Sequence, residues 1–251
     1  MNKRTFTQTT WIQISNPQAP IKLRLFCFPY AGGGARIFHN WSAQLPPEIQ
    51  VCAIKLPGRE QRLHETAYSQ IEPLVQALAS ELRPYFDRPF AFFGHSMGSL
   101  ISFELARYLR QTGLPEPEQL FVSAHRAPHI KRREPDVHAL PDHELIARLR
   151  DLSGTPEEIL QHAELMQLFL PLLRADFTLC ETYHFTEQER FTYPITAFGG
   201  TEDTQIPITD LEAWQHHTSG NFQLHIYPGH HFFLHQEQSK LLQVIRQQVQ
   251  N

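Results

Sequence analysis

The chain has 251 residues, 41% of them hydrophobic and 19% charged, with a net charge of −4 at pH 7. That length and apolar content suit one α/β domain with a sizeable core, and the mild acidic balance excludes a global electrostatic pull toward nucleic acid or anionic membrane. The three cysteines, Cys27, Cys52 and Cys180, are odd in number and scattered, which argues against a disulfide framework or a cysteine-based zinc site and fits a reducing compartment.

Met1–Pro20 is polar, reads as an extended lead-in and has no apolar core of a signal peptide. No stretch is apolar for long enough to span a bilayer, so a cytoplasmic location is expected. Lys22–Phe28 (KLRLFCF) predicts a strand, stopped by Pro29-Tyr30-Ala31-Gly32-Gly33-Gly34, and Arg36–Ser42 begins a helix. Gln50–Leu56 is the next strand, closed by Pro57-Gly58. Ser69–Tyr85 carries Ile71, Leu74, Val75, Leu78, Ala79 and Leu82 at helical spacing. Pro89–Phe93 is a short continuous apolar strand, as expected where both faces of a parallel sheet are covered. Ser99–Arg110 predicts a helix, and Gln119–Ala124, Tyr193–Phe198 and Asn221–Tyr227 predict three more strands before a closing helix at Ser239–Val249.

Strands alternating with helices predict an α/β fold with a mostly parallel sheet wrapped on both faces. One region departs from the alternation. Almost seventy residues between the strands at Gln119–Ala124 and Tyr193–Phe198 hold only helical signals: Pro141–Arg150, Pro156–Gln161, Ala163–Leu173 and Ala175–His184. Asp142 and Thr155 are helix starts and Gly154 a stop. Such an insertion predicts a helical cap over the C-terminal edge of the sheet, where α/β active sites lie.

Gly94-His95-Ser96-Met97-Gly98 has the G-x-S-x-G form, directly after a strand and directly before a helix. In that context the motif predicts a nucleophile elbow that lifts the Ser96 hydroxyl to the mouth of a helix. A serine nucleophile needs a base, an acid and an oxyanion hole, in the chain order Ser, acid, His. The strand Tyr193–Phe198 leads into Gly199-Gly200-Thr201-Glu202-Asp203; Asp203 is the preferred acid and Glu202 the alternative. The last strand leads into Pro228-Gly229-His230-His231-Phe232-Phe233, where His230 and His231 compete as base and spacing does not separate them. His235 lies further on, and His39 and His95 sit where a base would not reach both serine and acid. The paired histidines lack a second ligand pair, so no metal is expected. Oxyanion N–H groups are expected from Met97, after the nucleophile, and from Ala31 in the glycine-rich loop. That loop has neither phosphate-binding pattern, and no cofactor is expected.

Together these residues resemble the type II thioesterases that accompany nonribosomal peptide and polyketide synthases. The resemblance runs nearly end to end. It includes Phe28-Pro29-Tyr30-Ala31-Gly32-Gly33, Leu56-Pro57-Gly58-Arg59-Glu60 with Arg62, Gly94-His95-Ser96-Met97-Gly98, Pro171-Leu172-Leu173-Arg174-Ala175-Asp176-Phe177 and the Pro228–Phe233 ending. It implies an α/β-hydrolase fold over residues 1–251, with a mobile helical lid inserted at roughly 128–175. The family's P-G-G-H-F ending maps the base onto His231 and leaves His230 where glycine is usual. The acid falls on Asp203, and Ala31 and Met97 supply the oxyanion amides.

The implied activity is hydrolysis of acyl thioesters from the phosphopantetheine arm of carrier domains, clearing stalled or misprimed synthases through an acyl-enzyme. The implied partners are acyl or peptidyl carrier domains, with no nucleic acid and no membrane, and a monomer is expected. Leu165, Met166, Phe169 and Leu170 are candidates for an acyl chamber, although their spacing fits core packing equally. Arg59 and Arg62 either favour an anionic carrier surface or belong to a solvated turn. Competing readings are a product-releasing thioesterase or acyltransferase, an esterase on free esters or acyl-CoA, and an inactive docking scaffold.

Overall fold

The computed structural model describes residues 10–14, 20–152, 154 and 157–249. Seven strands, β1 (Ile12–Ile14), β2 (Leu23–Phe28), β3 (Ile49–Ile54), β4 (Phe90–His95), β5 (Gln119–Ser123), β6 (Ile195–Gly200) and β7 (Phe222–Tyr227), form one sheet in the order β1-β3-β2-β4-β5-β6-β7. All neighbours pair parallel except β1, which runs antiparallel to β3 with Ile12 opposite Ile54 and Ile14 opposite Cys52. The lead-in therefore contains a short edge strand that the sequence reading lacks; the rest of it, apart from Thr10, Trp11 and Pro20, lies outside the described residues.

The central strands are apolar on both sides because both sides are covered. Phe26, Phe28, Phe90, Phe92, Leu120 and Val122 point to the face packed by α1 (Ile71–Leu82) and α2 (Met97–Gln111). Their sequence neighbours Leu25, Cys27, Ala91, Phe93 and Phe121 point to the opposite face, under α7 (Gln238–Val249) and the aromatic pair Phe38 and Trp41. Phe38 and Trp41 sit on two short 3-10 turns, Ala35–Phe38 and Trp41–Ala43, in place of the single helix expected at Arg36–Ser42.

The insertion contains α3 (Asp142–Leu152), α4 (Glu157–Leu160) and α5 (Ala163–Glu181). Asp142 opens α3 as expected; Thr155 and Pro156 lie outside the described residues. The two helices expected at Ala163–Leu173 and Ala175–His184 are one continuous helix with Pro171 inside it. Its N-terminal half joins a separate apolar cluster with Val137, Leu145, Leu149 and Leu160, through Met166, Leu170 and Leu173. Its C-terminal half enters the sheet core at Leu179. One helix thus serves two cores, which is why its apolar spacing changes partner at mid-length without a break. Between β6 and β7 a short helix, α6 (Ile208–Glu212), and a 3-10 turn, Ala213–His217, complete the crossover.

Candidate active site

Strand β4 ends at His95 and α2 starts at Met97, so Ser96 must reverse the chain in one residue. It does so at φ 52° and ψ −120°, a left-handed backbone that non-glycine residues seldom adopt. Strain of this kind, of order 1–3 kcal/mol, persists only where the surroundings over-determine it. Here the Ser96 N–H donates to the Ser123 carbonyl at 2.7 Å and the Ser99 N–H donates to the Ser96 carbonyl at 2.8 Å. Ser99 Oγ accepts the Ser123 N–H at 2.9 Å and lies 2.8 Å from the Gly94 carbonyl, stitching the turn to β5. The flanking glycines are steric necessities. A Cβ on Gly94 would stand 2.1 Å from the Gly98 carbonyl oxygen, and a Cβ on Gly98 would stand 2.1 Å from the Phe28 carbonyl oxygen.

The loops that follow β6 and β7 are zipped together. Thr201 N–H donates to Tyr227 O at 2.8 Å and Glu202 N–H donates to Gly229 O at 2.9 Å. This brings Asp203 Oδ2 to 2.8 Å from His231 Nδ1, and His231 Nε2 to 3.1 Å from Ser96 Oγ. With Nδ1–H donated to the carboxylate, Nε2 carries the lone pair that faces the serine hydroxyl. The Asp203 side chain is only 1% exposed, and its other oxygen accepts the Gln205 and Ile206 N–H groups.

The alternatives separate on geometry. The His230 side chain is 76% exposed and lies against Glu202, with 3.2 Å between His230 Nε2 and the Glu202 carboxylate. His235 Nε2 meets Tyr30 Oη at 3.1 Å, and His39 is exposed. Gly229, at φ +119°, sets the turn that sends His230 outward and His231 inward.

His95 has a task that spacing did not reveal. Fully buried, it donates Nε2–H to the His231 carbonyl at 3.0 Å, so its Nδ1 accepts the Ser123 hydroxyl at 2.9 Å. Burial, reinforced by His231 and His235, pushes its pKa well below the ordinary histidine value. It is therefore a neutral wedge between β4 and the backbone of the histidine loop.

In the glycine-rich loop, Gly33 N–H donates to Tyr30 O at 2.9 Å and Gly32 N–H donates to Asp176 Oδ2 at 2.7 Å. The amides of Ala31 and Met97 have no protein acceptor among the described residues. Met97 also stands at the N-terminus of the 15-residue helix α2, where the dipole favours negative charge.

Arg59 and Arg62 are both buried, which corrects the reading of either as a solvated or carrier-facing cation. Arg62 stacks 4.0 Å from the Trp11 ring and donates to Lys55 O at 2.7 Å. Arg59 forks onto Asp176, with Nη2 to Oδ1 at 2.8 Å and Nη1 to Oδ2 at 3.0 Å, and Nη1 also reaches Gly33 O at 3.0 Å. The adjacent Glu60 accepts the Arg36 N–H at 3.0 Å.

Two cavities open on Ser96 and His231. One, of about 260 Å³, is apolar and lies under the insertion between Leu149, Met166, Phe169, Leu173 and Phe232. Of the four chamber candidates, Met166 and Phe169 line it, Leu170 is buried in the insertion's own cluster, and Leu165 is exposed. The other cavity, of about 620 Å³, passes His125, Arg126, Lys131, Arg132 and Arg148. Among the described residues no group of three or more His, Cys, Asp or Glu could hold a metal, and no helix is long and apolar enough to cross a membrane.

The thioesterase-domain family model matches residues 23–249. The gramicidin S biosynthesis protein GrsT of Aneurinibacillus migulanus is 47% identical over 239 residues, covering 95% of this chain and 93% of that protein. The type II thioesterase BorB from the borrelidin biosynthetic cluster superimposes with a TM-score of 0.86 at 38% identity, over 94% of this chain and 96% of BorB. RedJ, a thioesterase of the prodiginine pathway in Streptomyces coelicolor, gives 0.85 at 39% identity, over 93% and 92%. With its parallel sheet, its elbow at Ser96 and these relatives, the chain belongs to the thioesterase family of α/β hydrolases, enzymes that hydrolyse thioesters.

Proposed function

We propose that Ser96, His231 and Asp203 form a catalytic triad that removes acyl groups from the phosphopantetheine arm of carrier domains in a nonribosomal peptide or polyketide synthase. His231 Nε2 takes the Ser96 proton as Oγ attacks the thioester carbonyl, and Asp203 stabilises the imidazolium and holds its tautomer. The amides of Ala31 and Met97 receive the tetrahedral oxyanion. Collapse expels the pantetheine thiol, protonated by His231, and leaves an acyl-serine. Water activated by the same imidazole then releases the carboxylic acid. No cofactor enters this sequence, and a cytoplasmic monomer suits a substrate delivered by the carrier.

The observation that carries the reading is the meeting of two unlike cavities at one hydroxyl. The apolar chamber suits the acyl chain, and the second passage, where Lys131 and Arg148 stand beside the Arg126–Glu134 and Arg132–Glu181 ion pairs, suits a long polar arm that ends in a phosphodiester. The relatives named for gramicidin S biosynthesis, the borrelidin cluster and the prodiginine pathway support the same reading. The test is release of acid from short-acyl-loaded carrier protein, compared with a matched free ester and acyl-CoA. Wild-type enzyme should favour the carrier substrate, Ser96→Ala should fall to background, and Asp203→Asn should lose about 10³–10⁴ in kcat. A preference for the free ester would instead support a general esterase.

A further inference from the structure

Two of the most particular runs in the chain, Leu56-Pro57-Gly58-Arg59-Glu60 and Leu173-Arg174-Ala175-Asp176-Phe177, take no part in the chemistry above. Both converge on the loop that carries Ala31. Gly32, at φ +74°, is held from two sides by one face of α5. Its N–H rests on Asp176 Oδ2 at 2.7 Å, and a Cβ built on it would stand 2.8 Å from Leu173 Cδ2. Leu173 and Asp176 are three residues apart and so lie on the same side of the helix. Arg59 closes the clamp, since its Nη1 touches both the Asp176 carboxylate and the Gly33 carbonyl.

Asp176 and Arg59 are 2% and 4% exposed. A buried ion pair is poor value as a fold stabiliser, because packed apolar side chains of similar volume often do as well. What charge supplies and hydrocarbon does not is a fixed acceptor for the Gly32 N–H and a fixed donor to Gly33 O, on either side of one peptide. Between them the Gly33 N–H donates to Tyr30 O at 2.9 Å, and Tyr30 O shares a planar peptide with the Ala31 N–H, so a loop pinned at Gly32 and Gly33 holds the Ala31 amide in place.

We propose that Asp176 and Arg59 are positioning residues for thioester hydrolysis, anchoring the oxyanion loop to the part of α5 that is rooted in the sheet core. The inference rests on the assignment of Ala31 as an oxyanion donor. It predicts that the pair acts on the chemical step and not on substrate capture.

The experiment measures kcat, KM and the pH profile with acetyl-pantetheine, whose acyl group is short and which needs no carrier. The proteins are wild type, Asp176→Asn, Arg59→Lys and Ser96→Ala, assayed well below their melting temperatures. Asp176→Asn keeps shape but loses charge, and should lower kcat about 10- to 100-fold with KM within about threefold of wild type. The midpoint of the pH profile should not move, because the His231–Asp203 pair is untouched. Arg59→Lys keeps a charge but loses the fork, and should lower kcat about tenfold. A folded Asp176→Asn with wild-type kcat, or a loss confined to KM, overturns the proposal. If Asp176→Asn does not fold, wild-type kcat in Arg59→Lys overturns it. Full activity in Ser96→Ala would sink the triad instead; an inactive Ser96→Ala beside a normal Asp176→Asn removes only the clamp.

Discussion

Gly98→Ala tests the elbow most directly. The added methyl would lie 2.1 Å from Phe28 O, 2.7 Å from Phe28 C and 2.9 Å from Pro29 O, all backbone atoms that no rotamer change can clear. Restoring ordinary contact requires a relative shift of at least about 1 Å between the start of α2 and the end of β2. Phe28 is in register with Gly94 of β4, so the movement passes outward into Pro29–Ala31 and away from the Met97 amide. A misplacement of about 1 Å can cost on the order of 100-fold in rate, and overpacking costs about 1–3 kcal/mol in stability.

Gly113→Ala is the matched control. Its φ of +67° is also left-handed, but no atom lies within 4 Å of the new methyl. Only the backbone penalty remains, about 1 kcal/mol, with no change in kcat. Thioester hydrolysis followed by thiol release, alongside thermal unfolding of both variants, reads the two effects separately. A folded Gly98→Ala with kcat within about threefold of wild type would refute the steric argument.

Three further outcomes are expected. Ser99→Ala leaves the Ser123 N–H and the Gly94 carbonyl without their hydroxyl partner in the core, and should cost about 1–3 kcal/mol in urea unfolding. His230→Gly removes a ring that touches only Glu202 among the site residues; activity should stay within about twofold, with stability within about 0.5 kcal/mol by thermal unfolding. His217 is held at about 3 by burial first, then by His129, Arg107 and His216. A depressed histidine value means the folded state binds fewer protons, so its contribution is full above about pH 6.5 and is lost as pH falls toward 3. His217→Asn should flatten the dependence of unfolding free energy between about pH 6 and 4 by up to roughly 1.4 kcal/mol per pH unit.

The parts of the fold that follow from local chemistry were legible. Six strands and the elbow announce themselves because apolar runs end in glycine and proline, and because G-x-S-x-G between strand and helix has few other uses. Strand β1 did not, because three residues show no periodicity and its partner, Cys52–Ile54, is some forty residues away. The choice between His230 and His231 lay beyond spacing, since a single φ at Gly229 decides which ring turns inward; only the family resemblance separated them in the sequence. Arg59 and Asp176 are 117 residues apart, and nothing local marks either as buried. His95 is weighed in the sequence only as a base, whereas in the structure its ring holds the backbone of His231.

Pro171 gives α5 an uneven stiffness along its length. Having no N–H, it cannot donate to the Gln167 carbonyl, so the helix lacks one rung just above the turn that contains Leu173 and Asp176. Bending there would lift Met166 and Phe169 while the segment from Asp176 to Leu179 stayed seated. The volume of the apolar chamber would then vary independently of the seated segment that holds Gly32, so one helix would join a yielding end to a fixed one.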